Sequence, residues 1–383
     1  MMRTLLKTEF YKLFDQEPDL FFAPGRINLI GEHTDYQEGL VLPAAIPHGI
    51  YIAIAPNDSS QVRLHSVDFQ EEFAFDLNSF SPKVGHWATY VMGMCSQLMQ
   101  AGAKLRGFDM AIGGNIPVGA GLSSSAALSV ASGLAIASVN DLVPDKKTLA
   151  RYAQKSEQLF AGLNCGIMDP YASIFGESKS AILLDCRDIN HDVIPIELED
   201  YQIILVNSKV KHTLAESAYN DRRASCEESV DVLKTSFPQI NTLRDLDPEL
   251  LPEIESILHP DLYPKAKHVI SENARVIQAA HALGKGNLGY FGDLLNQSHK
   301  SLSEDYEVSC DELDFLASKA QEMEFVLGSR MMGGGFGGCT INLVKSSETI
   351  AFEKEIRASY KDEFGIVPEF IPVELSEGAK ALD

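Results

Sequence analysis

The segment Ile116 to Leu128 joins two glycines and three serines directly to an alanine-rich stretch, in the order Ile-Pro-Val-Gly-Ala-Gly-Leu-Ser-Ser-Ser-Ala-Ala-Leu. Gly119 and Gly121 permit positive φ angles and a close backbone approach, and the stretch that follows favours a helix. Because a helix begins with unpaired N–H groups and a partial positive charge, the pattern predicts an anion-binding turn. The Gly-x4-Gly-Lys-Ser/Thr pattern is missing, so a nucleotide bound here would require a fold other than the common phosphate-loop one. A surface loop that caps a helix is the alternative.

Length and charge limit the classes of protein to which the chain can belong. Its 383 residues, of which 45% are hydrophobic, suffice for two domains that each bury a core. The net charge of −22, from 32 basic and 54 acidic residues, argues against a nucleic acid or an anionic membrane as partner. An anionic small substrate remains compatible if a metal ion, a helix N-terminus or local basic residues hold it.

The cysteines and the N-terminal segment indicate a cellular compartment. The six cysteines are scattered without a Cys-x2-Cys pair, which predicts reduced thiols rather than a zinc site. The N-terminus has the pattern of an amphipathic helix and not that of a secretory signal. The longest low-charge run, residues 112–140, is interrupted by Pro117 and several glycines and serines. We therefore expect a cytoplasmic protein.

The distribution of apolar residues predicts an α+β protein of mixed sheets and helices with two domains. Alternating apolar residues in the first half are typical of strands, and buried strands are predicted near residues 181–184 and 201–206, separated by a polar stretch. We expect an N-terminal domain of residues 1–195 and a C-terminal domain of residues 196–383. The predicted helices are His86 to Ala101, Ser123 to Val139, Thr148 to Phe160, Thr213 to Lys234, Pro264 to Leu283, Asn287 to Ser303 and Cys310 to Glu322.

A second candidate site lies near the N-terminus, where Pro24 to Tyr36 concentrates arginine, glutamate, histidine and aspartate among apolar residues and glycines. Carboxylates and a histidine in a loop suit the hydroxyls of a sugar, because each hydroxyl needs a directional partner and a charged acceptor binds it strongly. Adjacent positions in a loop fit zinc coordination poorly. A salt-bridged turn is the alternative interpretation.

Two further acids flank a glycine-containing turn. Glu157 belongs to a predicted helix, and Asp169 follows twelve residues later in a predicted loop. One carboxylate could hold Mg²⁺ while the other meets a substrate hydroxyl, which is the division of roles that phosphoryl transfer requires. Each acid taken alone is compatible with an ordinary surface position. A fourth cluster, His212 to Arg223, is expected at a strand-to-helix junction, where its arginines could equally form a solvated helix face.

Three motifs occur in the order and spacing of a known family. Gly25 to Tyr36 resembles the galactokinase signature, Pro117 to Ala127 the ATP motif of the GHMP kinase superfamily, and Met332 to Gly338 its C-terminal glycine motif. The chain therefore resembles the galactokinases over nearly its whole length. The resemblance implies the two-domain GHMP kinase fold, in which helices pack on mixed β-sheets and the active site lies in the cleft between the domains.

The resemblance also implies an activity, the ATP-dependent phosphorylation of D-galactose at its C1 hydroxyl, which is the first committed step of galactose catabolism by the Leloir pathway. It implies ATP as co-substrate and Mg²⁺ as cofactor. Galactose and ATP are the expected small-molecule partners of a monomer, with no nucleic acid and no membrane. Positioning and charge stabilisation suffice for such a transfer, without a covalent intermediate.

The family's functional positions match residues of this sequence. Asp169 matches the catalytic base, and Arg26 matches the residue that steadies this aspartate and the transferring phosphoryl charge. Ser125 and Glu157 match the Mg²⁺ ligands. The positions that match sugar contacts are Glu32, His33, Thr34, Asp35 and Tyr219, and those that match ATP contacts are Ser66, Gly119, Ala120, Gly121, Leu122, Ser123, Ser124 and Ser125.

Three positions depart from the family pattern. Pro170 stands where a glutamine usually follows the catalytic aspartate, Gln37 stands for a frequent asparagine, and Met332 stands for a frequent threonine. None of the three changes removes a charged group. Pro170 disfavours the α region for Asp169, which affects the geometry expected for that loop and with it turnover.

Two other functions are compatible with the resemblance. A non-catalytic sensor that binds galactose and ATP and regulates a partner would use the same fold, as would a kinase for N-acetylgalactosamine or arabinose. The complete set of Arg26, Glu157 and Asp169 favours the enzyme, because a sensor does not need it. An N-acetyl group needs additional space near C2 of the sugar, which one sequence does not reveal.

Overall fold

The structure is a computed structural model that describes residues 2–117, 119–211 and 215–382. The strands of the described residues are β1 (Asp19–Asn28), β2 (Leu40–Val41), β3 (Pro43–Pro56), β4 (Gln61–Ser66), β5 (Glu71–Asp76), β6 (Phe108–Gly114), β7 (Ser180–Asp185), β8 (Asn190–Pro195), β9 (Tyr201–Lys211), β10 (Val326–Met331), β11 (Gly337–Lys345), β12 (Glu369–Pro372) and β13 (Lys380–Leu382). The α-helices are α1 (Met2–Phe14), α2 (Ala88–Gln100), α3 (Ser124–Val139), α4 (Lys146–Ser156), α5 (Met168–Phe175), α6 (Ala215–Leu233), α7 (Leu251–Ile257), α8 (Tyr263–Gly284), α9 (Leu288–Lys300), α10 (Asp311–Gln321) and α11 (Thr349–Phe364).

The strands form three sheets. The largest has six strands in the order β13-β1-β3-β6-β4-β5, in which β4 and β6 are parallel and the other neighbours antiparallel. A four-stranded antiparallel sheet has the order β10-β11-β9-β12, and a small third sheet has the order β2-β7-β8. Mixed sheets covered by helices confirm the predicted α+β class.

Helix α3 follows the glycine–serine segment and packs on β1 and β3. Its sequence is dominated by alanine, serine and other small residues, and most of its side chains are buried. Short side chains allow the helix axis to approach the sheet closely, so the N-terminus of α3 is held firmly against the strands. The predicted start at Ser123 is confirmed to within one residue.

One predicted helix changes its geometry at the site. The helix predicted for residues 148–160 is α-helical only to Ser156, and Glu157–Ala161 forms a π-helical turn that ends at Gly162 in a left-handed conformation. A π turn inserts an extra residue into the helical repeat and redirects the side chains, which is frequent at functional sites. The direction of Glu157 therefore depends on this irregularity.

The predicted loop around Asp169 is wrong, because Asp169 lies in the first turn of α5. Pro170 follows it in the same turn. A proline is tolerated there because the first N–H groups of a helix have no partner within the helix. A residue before proline normally avoids the α region, but here Asp169 adopts it at the start of a helix.

The sheets and helices enclose several apolar clusters, of which one joins the two halves of the chain. It contains Ile27 and Leu42 from the N-terminal part together with Val276, Met332 and Ile341 from the C-terminal part. The polar stretch predicted between β7 and β9 contains the additional strand β8. None of the helices in the described part of the chain combines the length and apolar composition that a bilayer crossing needs.

Candidate active site

A cavity of about 900 Å³ lies where three segments meet. These segments are the acid-rich loop (residues 29–37), the glycine–serine loop (residues 119–125) and the glycine turn (residues 332–338). The predicted site residues that line the cavity are Arg26, Glu32, His33, Asp35, Ser66, Gly119, Ala120, Gly121, Leu122, Ser123, Ser124, Ser125, Glu157, Asp169 and Tyr219. Val118, within the predicted anion-binding segment, lies outside the described residues.

Thr34 is the exception among the predicted sugar contacts. Its side chain is fully buried, and its hydroxyl donates to the carbonyl oxygens of Gly31 at 3.0 Å and Leu40 at 2.8 Å. Thr34 is absent from the cavity wall. Its hydroxyl therefore stabilises the turn of the acid-rich loop through these hydrogen bonds and does not contact the cavity.

Arg26 and Asp169 form a two-bond ion pair although they are 143 residues apart in sequence. Arg26 Nε lies 2.8 Å from Oδ1 of Asp169, and Nη2 lies 3.0 Å from Oδ2. The remaining nitrogen, Nη1, donates to the carbonyl oxygen of Gly121 at 2.7 Å. Burial alone would lower the pKa of Arg26, but Asp169 and Glu32 raise it above its ordinary value. The planar guanidinium thus fixes Asp169 relative to the glycine–serine loop.

Ser123 connects the glycine–serine loop to Asp169. It is the N-cap residue of α3, but it adopts a left-handed conformation with φ 59° and its side chain does not cap the helix. Its hydroxyl donates instead to Oδ2 of Asp169. The first amides of α3 are therefore not capped by this serine, and they present their partial positive charge to the cavity.

Ser125 and Glu157 are adjacent at the same end of the cavity. Ser125 Oγ donates to Oε1 of Glu157 at 2.8 Å, and the thiol of Cys165 donates to Oε2 at 3.7 Å. Burial raises the pKa of Glu157 to about 7. Among the described residues, no group of three or more His, Cys, Asp or Glu is placed to hold a metal ion. A cation here would take most of its ligands from water and a bound anion.

Asp35 contacts the N-terminus of α5. Its Oδ2 accepts a hydrogen bond from the Met168 amide at 3.3 Å, and its Oδ1 accepts one from the Tyr36 amide at 3.0 Å. Burial raises the pKa of Asp35 to about 6, and the nearby charge of Asp169 adds to the effect. A Cβ atom on Gly166 would lie 2.0 Å from Oδ2 of Asp35, so this carboxylate occupies space that only glycine leaves open.

His33 is held by both ring nitrogens. Nε2 lies 3.1 Å from the carbonyl oxygen of Gly334, which can only accept, so Nε2 carries the proton. Nδ1 then accepts from the hydroxyl of Tyr36 at 2.8 Å. Burial lowers the pKa of His33 to about 3, so the ring is neutral. A sugar hydroxyl therefore finds no free ring nitrogen on His33 in this arrangement.

An aromatic group completes this side of the cavity. The ring of Tyr219 lies 5.1 Å from the His33 ring and 5.7 Å from the Tyr36 ring. The hydroxyl of Tyr36 is 2.6 Å from that of Tyr306, which lies 3.1 Å from the thiol of Cys226. Since Tyr36 donates to His33, it accepts from Tyr306. The side chains form one directed chain of hydrogen bonds.

Ser66 lies at the other end of the cavity, where β4 ends. Its hydroxyl accepts from the Phe69 amide at 3.3 Å. Phe69, Trp87 and Tyr90 also line the cavity and contribute aromatic rings to its wall. Sequence reasoning did not identify Trp87, although it is the only tryptophan of the chain. Such a wall suits a flat ring system.

The acid-rich loop is braced by polar side chains of α8, which sequence reasoning missed. His268 Nε2 lies 3.1 Å from the Glu32 carbonyl, Oε1 of Glu272 accepts from the Gly31 amide at 3.1 Å, and Oδ1 of Asn273 accepts from the Leu40 amide at 2.7 Å. These three α8 residues are buried. The sequence did contain a signal for them, namely polar residues at helical spacing on an otherwise apolar helix face. Such residues indicate buried hydrogen-bond partners, because a buried polar group requires one.

The fourth cluster is not a solvated helix face. Arg222 Nε donates to the Tyr306 carbonyl at 2.7 Å, and Arg223 Nη1 donates to the Asn164 carbonyl at 2.9 Å. The side chain of Asn220 accepts from the Asn164 amide at 3.2 Å. Helix α6 is therefore tied to the segment that precedes Asp169. Residues 212–214 of the same cluster lie outside the described residues.

Comparisons with known proteins agree with this geometry. Residues 8–56 match the galactokinase galactose-binding signature, residues 89–177 the GHMP kinases N terminal domain, and residues 279–362 the GHMP kinases C terminal domain. A galactokinase of Enterococcus faecalis is 40% identical over 388 residues and both chains are covered completely. One of Chloroflexus aurantiacus is 44% identical over 331 residues, with 86% of this chain and 85% of the relative covered.

Solved structures give the same result. The crystal structure of Lactococcus lactis galactokinase complexed with galactose superimposes with a TM-score of 0.97 at 38% identity, over 100% of each chain. A mevalonate kinase of Methanococcus jannaschii shares the fold, with a TM-score of 0.66 at 17% identity over 94% of this chain and 99% of the neighbour. The full-length identity and the three matched domains show that this chain belongs to the galactokinase family of the GHMP kinases.

Proposed function

We propose that this protein transfers the γ-phosphoryl group of ATP to the C1 hydroxyl of D-galactose, giving galactose 1-phosphate and ADP. Membership of the galactokinase family supports the reaction. The observation that carries the proposal is the ion pair of Arg26 with Asp169. Arg26 also donates to the Gly121 carbonyl, and Asp169 also accepts from the Ser123 hydroxyl. A carboxylate and a cation thus lie together next to the glycine–serine loop, which supports phosphoryl transfer as the reaction.

Asp169 is the proposed base. Its side chain remains 30% exposed to the cavity while that of Arg26 is only 5% exposed, so the carboxylate is accessible and its partner is buried behind it. A substrate hydroxyl that donates to Asp169 is oriented for attack and loses its proton to the carboxylate as the bond to phosphorus forms. Arg26 holds the carboxylate in place and contributes positive charge next to the transferring group.

The glycine–serine loop is the proposed phosphate site. Gly119 and Gly121 have φ values of 75° and 71°, which glycine adopts without strain, and α3 starts immediately after them. The free amides at a helix N-terminus attract phosphate oxygens. We propose that the ring-lined region beyond Ser66 receives the adenine, because aromatic side chains there offer stacking surfaces.

Ser125 and Glu157 are the proposed protein ligands of Mg²⁺. One hydroxyl and one carboxylate, 2.8 Å apart and both lining the cavity, fit an ion that keeps several waters and binds phosphate oxygens. Ser125 and Glu157 would hold the ion, and it would supply positive charge that offsets the negative charge of the phosphates. Ser125→Ala should weaken magnesium-dependent ATP binding in calorimetry by roughly tenfold while galactose binding is retained. Equal ATP binding with and without Mg²⁺ in the parent protein would contradict the assignment.

The proposed sugar site consists of Glu32, Asp35 and Tyr219, with His33 as a neutral ring in its wall. The two carboxylates would accept hydrogen bonds from sugar hydroxyls, and the tyrosine would supply a packing surface. We further propose the domain division after residue 195, between β8 and β9, and a cytoplasmic monomer. Sedimentation equilibrium tests the oligomeric state, and a mass of twice the chain would contradict it.

The activity is tested by a coupled assay of ADP release with galactose, glucose, N-acetylgalactosamine, arabinose and no sugar, each with and without Mg²⁺. Release that requires both galactose and Mg²⁺ is expected. Binding of galactose and ATP without any release would favour the sensor instead. Faster ADP release with N-acetylgalactosamine or arabinose than with galactose would show that the preferred substrate is that related sugar.

A further inference from the structure

Arg330 belongs to none of the motifs that indicate the reaction, yet it reaches the acid-rich loop from the opposite half of the chain. It lies in β10, and its side chain is fully buried. Nε donates to the Leu29 carbonyl at 2.8 Å, and Nη2 donates to the Asn28 carbonyl at 2.6 Å. Nη1 donates to the Met331 carbonyl at 2.8 Å. The carbonyl oxygens of Asn28 and Leu29 therefore fix the plane of the guanidinium at the start of the acid-rich loop.

The fourth contact of this guanidinium is to a cavity residue. Nη2 lies 3.0 Å from Oε1 of Glu32, and Glu32 is the one carboxylate within ion-pair distance of Arg330 among the described residues. A buried guanidinium without a counter-charge is costly, so the pair is strongly favoured in the folded protein. The orientation of the Glu32 side chain is thereby set by a residue 298 positions away in sequence.

The two oxygens of Glu32 have different surroundings. Oε1 accepts from Arg330 and also from the Gly333 amide at 2.7 Å. Oε2 accepts no hydrogen bond from the described residues, and Glu32 lines the cavity. A carboxylate held by two donors on one oxygen presents the other oxygen in a defined direction.

We propose that Arg330 is a positioning residue for the sugar, which holds Oε1 of Glu32 so that Oε2 accepts one hydroxyl of galactose. The inference rests on the proposed function, since it takes galactose as the ligand. Arg330 touches no substrate itself. It acts through Glu32, and it joins the glycine turn to the acid-rich loop so that both sides of the sugar site move together.

The test is a set of dissociation constants measured by calorimetry for galactose and for analogues that each lack one hydroxyl. The parent protein, Glu32→Gln, Arg330→Met and Arg330→Lys are compared. Removal of one particular hydroxyl should weaken binding to the parent about tenfold, as loss of a hydrogen bond to a charged group does. The same removal should change binding less than twofold in Glu32→Gln and in Arg330→Met, while the effects of the other hydroxyls are kept.

Two controls separate positioning from general loss of stability. Ile356→Ala removes a buried side chain of α11 in an apolar cluster that contributes no residue to the cavity, and it should lower thermal stability without changing the hydroxyl profile. Affinity for a non-hydrolysable ATP analogue should stay within twofold in the Arg330 variants. Arg330→Lys keeps the charge but not the planar fork, and it should reduce the effect of that hydroxyl about threefold.

The outcomes are distinct. A folded Arg330→Met protein that discriminates against the same deoxy sugar as strongly as the parent would overturn the inference. Should Arg330→Met fail to fold, Arg330→Lys decides, and an unchanged hydroxyl profile in that variant overturns the inference equally. Failure of the parent protein to bind galactose at all would instead overturn the proposed function.

Discussion

The proposed phosphate side and the proposed sugar side of the cavity are built in different ways. The proposed phosphate side comes from one continuous stretch, the glycine–serine loop and the start of α3, and it would offer mainly backbone amides to an anion. The sugar side gathers Glu32, Asp35, Tyr219 and the glycine turn from segments that are up to about 300 residues apart, as the 301-residue separation of His33 and Gly334 illustrates. It depends on buried side chains.

This difference determines how each side responds to substitution. Backbone amides at a helix start are set by local geometry, so a change there acts mainly through local strain. Buried polar groups require partners, so a change on the sugar side leaves other groups without a hydrogen bond. We therefore expect the sugar side to be the more sensitive one, except where a single residue serves both sides.

Asp169 is that shared residue, and its substitution should have the largest effect. Asp169→Asn keeps the size of the side chain but removes the proton acceptor and the charge that pairs with Arg26. Turnover should fall by about 10³-fold or more, because general base catalysis contributes roughly that factor. Galactose binding in calorimetry should change little. Turnover close to that of the parent would show that the carboxylate is not the base.

A pair of glycine substitutions compares the two sides directly. An alanine Cβ at Gly166 would lie 2.0 Å from Oδ2 of Asp35, which the amides of Met168 and Tyr36 hold in place. We expect Gly166→Ala to weaken galactose binding by roughly tenfold or more, since the carboxylate must give up its hydrogen bonds.

Gly119→Ala is the matched change on the phosphate side. Its Cβ would meet nothing within 4 Å, and only the φ of 75° opposes it. A stability loss of about 1 kcal/mol, with unchanged galactose binding, is expected. Urea unfolding and calorimetry measure both variants, and an equal loss of galactose affinity in the two would remove the proposed difference between the sides.

Buried ionisable groups in and behind the proposed sugar side should contribute to the dependence of stability on pH. Burial lowers the pKa of His33 to about 3 and that of His268 to about 4, so both are neutral in the folded protein. The unfolded chain binds protons below its ordinary histidine pKa, near 6.5. The free energy of unfolding should therefore fall, by about 1.4 kcal/mol per pH unit for each histidine, as the pH drops from about 6.5 towards 4.

Asp35 acts with the opposite sign, because its pKa is raised to about 6 in the folded protein. Its contribution to stability is complete below the ordinary value of 3.8 and is lost as the pH rises through 6. Urea unfolding at several pH values should thus show a shallower acid decline for His33→Gln and a steeper one for Asp35→Asn. If the free energy of unfolding changed with pH in the same way in both variants and the parent, groups other than His33 and Asp35 would be responsible for the pH dependence.

The smallest effect is expected from Arg223, which ties α6 to the Asn164 carbonyl at a partly exposed position. Arg223→Ala should raise the KM for galactose about threefold to fivefold, as the loss of one such hydrogen bond implies. The kcat and the KM for ATP should stay within twofold. Glu228→Ala, at an exposed position of the same helix, is the control and should leave all three constants unchanged.

Local signals predicted the position of the glycine–serine loop and of the helix after it well. The start of α3 was placed to within one residue, and every predicted residue of the glycine–serine loop lines the cavity. The same reasoning failed at Asp169, because the rule for a residue before proline does not take account of the vacant amides in a first helical turn. It also missed the π-helical turn that begins at Glu157, since such a turn has no sequence signature here.

The residue types and their order along the chain were enough to identify the family, the α+β class and fifteen of the residues that line the cavity. The tertiary structure alone showed that Thr34 faces inward, that both nitrogens of His33 are engaged, and that Arg330 holds Glu32. The physical reason is that a buried polar group is oriented by whichever partner packs against it. That partner can come from any distance along the chain, whereas helix starts and tight turns are encoded within a few residues.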